Sequence, residues 1–190
     1  MRKIITKEEQ EKKSKNKGLW IGIILIGIMM FGTIGYAFQS ITNTDDNIKK
    51  IKYNNYEFIQ NGEYWTANIN SYDLLFKYNP NEVQKIDSTV NKISSYSGSP
   101  LYIYTPNEEV YYELYRNMQP FVQRIQIACL KGDDCKGIAE KTCDDNLIIV
   151  KYSDNINIKQ NNSCVFIYTP IENATMAVDE FLFKVLNVEQ

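Results

Sequence analysis

Twenty consecutive residues carry no charge, from Leu19 to Phe38: LWIGIILIGIMMFGTIGYAF. No other feature restricts the folding of this chain as much. At about 1.5 Å of rise per residue the run makes a helix of about 30 Å, the thickness of a bilayer's hydrocarbon core. As a helix it satisfies its backbone groups internally, which a bilayer demands. Residues 1–18 hold seven basic and three acidic side chains, a net of +4, and Asp45 and Asp46 follow the run. The positive-inside rule then places the N-terminus in the cytoplasm and residues 39–190 outside. The expected organisation is a basic tail at 1–18, a transmembrane signal anchor in lipid at 19–38, a polar stalk at 39–52 and an extracellular domain at 53–190.

Two other readings of the run end in export or fail. Gly35 and Ala37 fit a small-x-small cleavage site before Phe38, but a signal-peptide core usually spans only about 7–15 apolar residues. A pilin-type leader cut after Gly18 would want a glutamate five residues on, where Ile23 stands. Gly18 and Gly22 form a GxxxG at the edge of the run, and the other glycines do not continue that face.

The exported location decides how the four cysteines read. Disulfides persist outside the cell, and an even number can pair completely. The gaps between Cys129, Cys135, Cys143 and Cys164 are five, seven and twenty residues, and the chain has no histidine. Structural zinc sites favour gaps of about two to four, and redox dithiols favour C-x-x-C. Neither pattern is present, so staples are expected, with no metal and no cofactor. The runs NLIIVKYS and NSCVFIYTP read as an antiparallel hairpin turning near Asp154. That register sets Cys164 opposite residues 143–145, pairs Cys143 with Cys164, and leaves Cys129 and Cys135 to close the LKGDD loop.

The rest of the exported part reads as one α+β domain, a single mixed sheet packed by two or three helices. YEFIQNGEYWTANI is a hairpin about Asn61-Gly62, and SYDLLFKYNP adds a strand ending at Pro80. Residues 81–99 fit a helix only loosely, through Val83, Ile86, Val90 and Ile93. LYIYTP is a buried strand. A helix follows with Val110, Leu114 and Met118 at helical spacing, and Pro120 stops it. FVQRIQIACL alternates Ile125, Ile127 and Cys129, so the three elements form a βαβ crossover with parallel strands. IENATMAVDEFLFKVLN is an amphipathic helix whose stripe is Val178, Phe181, Leu182 and Val185.

Composition excludes several functions. From residue 39 onward fourteen basic and twenty acidic residues leave a net of −6, unsuited to nucleic acid. The lack of histidine removes the usual general base and the commonest metal ligand. Asp133–Asp134 and Asp144–Asp145 are adjacent pairs, not the alternating carboxylates of a calcium loop. No G-x-S-x-G or phosphate loop occurs. Asn161 and Asn173 begin N-x-S/T sequons, which read as glycosylation acceptors in an exported domain. The abundance of Asn, Ile, Lys and Tyr fits an AT-rich genome.

The order of an N-terminal anchor, FKYNPNEVQKI, LYIYTP, IQIACL with KTCDDNLIIV, NSCVFIYTP and VDEFLFKVL resembles a group of small membrane-anchored archaeal proteins with no assigned function. The resemblance spans most of residues 20–187. It implies an archaeal cell surface and nothing about catalysis. The reading is a non-enzymatic anchored ectodomain that binds a protein or surface component. The alternative is an extracytoplasmic hydrolase or thiol-disulfide oxidoreductase.

Overall fold

The structure, a computed structural model, describes residues 20, 21, 23–29 and 49–189. Within the expected span at 19–38, the described residues are helical and all but Gly27 are exposed. The rest of that span, the basic tail at 1–18 and residues 39–48 of the expected stalk lie outside the described residues. Among the described residues no helix is long and apolar enough to cross a membrane. Residues 49–190 form a compact unit of their own.

Three tight turns lead the chain through an antiparallel meander of β1 (Lys50–Tyr53), β2 (Tyr56–Asn61), β3 (Tyr64–Ile69) and β4 (Tyr72–Phe76). Each turn has two residues and begins with a left-handed one: Asn54 at φ 50°, Gly62 at 64° and Asn70 at 53°. Asparagine and glycine tolerate that region best, and such turns match the strand twist. Phe58, Trp65, Ala67, Ile69, Leu74 and Phe76 alternate inward and are buried. Two expectations are corrected here. Residues 50–52 are strand and not stalk, because Ile51 packs on the core. The fourth strand stops at Phe76, four residues before Pro80.

The segment to residue 99 is irregular apart from a 3-10 turn at Ile93–Ser95. The loose helical spacing there is not realised, and Val83 enters the core from a bend and Tyr96 from the turn that closes the 3-10 segment. Then come β5 (Pro100–Tyr104), α1 (Glu108–Met118) and β6 (Arg124–Leu130), with β6 parallel to β5. The expected crossover is present. Asn107 caps α1, its side-chain oxygen accepting from Glu109 N at 2.9 Å and Val110 N at 3.3 Å.

The chain continues through β7 (Ala139–Lys141), β8 (Leu147–Tyr152), β9 (Asn157–Asn161), β10 (Cys164–Thr169) and α2 (Ala174–Val185). The second sheet has the order β7-β6-β5-β8-β10-β9 and is parallel except for β9. The expected single sheet is therefore two sheets, one antiparallel and one mixed. The expected hairpin is also corrected. β8 and β10 run parallel, with Leu147 beside Cys164, and the hairpin partner of β10 is β9.

α2 lies between the two sheets, a three-layer arrangement, and α1 lies beside it and meets the meander at its β4 edge. α2 is buried almost all round. Val178, Phe181, Leu182 and Val185 form the expected stripe. On the other side of the helix Phe183 meets Phe58 at 5.7 Å and Phe76 at 4.8 Å between ring centroids. A helix apolar on two sides needs cover on both, and the two sheets supply it.

Candidate functional site

The two staples sit at opposite ends of the parallel strands, Cys129–Cys135 where β6 ends and Cys143–Cys164 where β10 begins. The structure joins Cys129 to Cys135 and Cys143 to Cys164, with Cα atoms 5.7 Å and 4.8 Å apart. These are the pairs that the hairpin register suggested, reached by another route. Cys143 comes back toward β10 because a turn closes before β8, Asp145 N donating to Thr142 O at 3.0 Å. Ser163 N then donates to Cys143 O at 3.0 Å beside the bridge. Cys129 and Cys164 are fully buried and Cys135 nearly so. Thiolate exchange needs access to sulfur, so this burial counts against the oxidoreductase alternative.

Open α/β sheets place ligands beyond the carboxyl ends of their strands, where neighbouring connections diverge. Here that point lies between β5 and β8. The chain leaves β5 toward β6 and leaves β8 toward β9 and β10 on the other side. A cleft of about 440 Å³ opens there, lined by Tyr104, Lys151 and Tyr152 and by Asp133, Asp134 and Lys136 from the stapled loop. Its charges are paired, Lys151 with Asp133 at 2.9 Å and Lys136 with Asp134 at 3.5 Å.

A second cavity of about 360 Å³ adjoins it across Pro106, between α1 and β6. Ile103 and Ile127 form its floor, Tyr111 and Tyr112 one wall, and Thr105 to Glu108 the rim. The rim is preformed: Asn107 N donates to Thr105 Oγ1 at 3.2 Å while its side chain caps α1. Ile127 and Tyr112 are more than half exposed, at 53% and 54%. Tyr111 packs on Tyr112 and Tyr115 with ring centroids 5.7 Å and 5.9 Å apart, and partial burial pushes its hydroxyl pKa up. Tyrosine, isoleucine and a few fixed polar groups make an adhesive surface that needs little ordering on binding.

The strongest electrostatic perturbations lie elsewhere, in the core between α1 and α2. Glu113, Asp179 and Glu180 are buried. Burial pushes the carboxyls of Glu113 and Asp179 up, Asp179 well above the usual range. The neighbouring Glu113 charge pushes Asp179 further up, while the Arg116 guanidinium holds Glu113 back down. Glu113 pairs with Arg116, and Asp179 Oδ2 accepts from Tyr78 N at 2.8 Å. Glu180 accepts from Ile86 N at 3.1 Å and has Lys184 and Lys85 at 3.5 Å and 3.7 Å. Both members of the carboxyl pair are 1% exposed or less, so they brace helices and meet no substrate.

The sequon residues differ. Asn161 is exposed at the end of β9, beside the Asn162–Ser163 turn. Asn173 is half-buried at the start of α2. Among the described residues no three His, Cys, Asp or Glu side chains converge as a metal site. Sequence reasoning did not single out Thr105, Tyr112 or Ile127. Ile127 alternates like a core residue, and on β6 it stands exposed at the mouth of the cavity under α1. No protein-family model, curated protein or solved structure matches the chain.

Proposed function

We propose that residues 49–190 are a binding domain held outside the cell by the apolar segment at 19–38, and that the domain takes a protein or surface component without transforming it. The preformed, tyrosine-walled cavity between α1 and β6 carries this reading. It combines exposed apolar area with a rigid polar rim, the composition of a recognition surface. The shifted carboxyls are sealed in the core, and the stapled loop spends its charges on ion pairs. The anchor rests on the length of the uncharged run and on the +4 tail before it.

Photo-crosslinking on intact cells tests this. A benzoylphenylalanine replaces Tyr112, or Tyr72 as an exposed control on β4. Adducts from position 112 alone, removed together with the domain by protease added outside, support the reading. Equal labelling from both positions, or a domain protected from external protease, overturns it.

A further inference from the structure

β6 is paired on one side along its first part and on the other along its last. β5 runs beside Arg124–Ile127, whereas β7 pairs only with Ala128–Leu130. Among the described residues no backbone hydrogen bond beyond the β5 ladder reaches 124–127. Alternate residues of a parallel strand turn both backbone groups to one side, so this stretch presents unused donors and acceptors. Arg124, Gln126 and Ile127 are exposed there, and Ile127 also floors the cavity under α1.

We infer that this edge receives an extended peptide segment of a partner protein as an added parallel strand continuing the line of β7. The inference rests on the binding reading above and names its partner class. Three observations select the occupant. The β6–β7 ladder already accepts a parallel strand, and the open stretch is its direct continuation. Residues opposite each other in a parallel ladder face the same way, so the peptide residues beside Ile125 and Ile127 turn toward α1. The one beside Ile127 reaches the cavity mouth at Tyr112, which favours an apolar side chain. The charges are polarised along the edge, Arg124 at its start and Glu108 on the rim at its end. The segment therefore runs from an acidic residue, through apolar residues at alternate positions, to a basic one. Main-chain bonds supply affinity in such strand addition, and the alternate pockets supply specificity.

The test pans a displayed library of random dodecapeptides on the full-length protein in lipid nanodiscs. Enriched peptides should show the acidic, alternating apolar, basic pattern. Ile127→Asp, at an exposed position, should weaken them about tenfold or more, and Lys151→Ala in the neighbouring cleft should not. Hydrogen exchange on the wild-type protein should show new protection at outward-facing amides within 124–127. No enrichment over empty nanodiscs overturns the peptide class. Enriched peptides that protect amides elsewhere overturn the edge site and leave the binding reading standing. Protection of 124–127 that grows with protein concentration and needs no peptide would mean that a second copy occupies the edge, and overturns the partner assignment.

Discussion

Asn117 of α1 meets Leu75 of β4 as a neighbouring strand would. Its amide oxygen accepts from Leu75 N at 3.1 Å, and its amide nitrogen donates to Leu75 O at 2.8 Å. Arg116 Nε adds a bond to the same carbonyl at 3.1 Å. β4 is the last strand of the meander, so these side chains close an edge that is otherwise unpaired.

Replacing Asn117 with leucine should therefore destabilise the domain by about 1–3 kcal/mol, because the part-buried Leu75 N–H loses its partner. Denaturant unfolding measures it. A loss below about 0.5 kcal/mol, the range of an ordinary surface substitution, would mean that the edge is closed by other means.

The Glu113–Asp179 pair predicts a pH dependence. A carboxyl whose pKa is raised by folding keeps its proton in the native chain after the unfolded chain has lost it. Stability then falls as pH rises from the ordinary carboxylate value near 4 toward the raised one, by at most about 1.4 kcal/mol per unit. Asp179→Asn keeps an acceptor for Tyr78 N–H and removes the carboxyl that titrates. Melting curves across the pH range should show the variant gaining on the wild type as pH rises. Parallel curves would mean that burial does not raise the Asp179 carboxyl.

The two bridges should contribute unequally. Cys143 and Cys164 are 21 residues apart in sequence, Cys129 and Cys135 only 6. Chain entropy gives about 3 kcal/mol for the larger loop and about 2 kcal/mol for the smaller. Paired alanine substitutions, followed by denaturant unfolding, should rank them in that order. Non-reducing peptide mapping should recover the same two links.

Expressed through a glycosylating secretory route, the domain should carry its glycan at Asn161. Asn161→Gln should abolish the mobility shift and Asn173→Gln should leave it. Asn161 stands exposed at a strand end, whereas Asn173 is half-buried beside the buried Ala174. A shift that survives Asn161→Gln would contradict this.

Local signals carried most of the elements. Asn61-Gly62 marked its hairpin, Pro120 stopped α1, and the stripe from Val178 to Val185 marked α2. What failed was long-range. β9 was missed because Lys159 and Gln160 give an edge strand a polar look, and only Ile156 and Ile158 betray its alternation. Without β9 the two strong strands around it seemed a hairpin, so a parallel pair was read as antiparallel. The cysteine partners survived that error because a turn at Thr142–Asp145 returns Cys143 to the start of β10. The binding surface was illegible for a related reason. Ile127 stands beside Ile103 in register, yet Ile103 is buried and Ile127 exposed, and no periodicity encodes how far α1 covers the sheet.

α2 is the last regular element in the chain and the middle layer of the domain. That order sets a schedule for assembly. The meander can close its tight turns as soon as residue 76 is free, since local pairings form early. Its inner face, with Phe58 and Phe76, then waits for Phe183, which follows more than a hundred residues later. Cooperative packing is thus deferred until the chain has emerged through α2. A nascent domain stalled before residue 174 would hold every strand of both sheets but not the helix between them, and would present bare apolar faces, a substrate for chaperones and proteases and not yet a receptor.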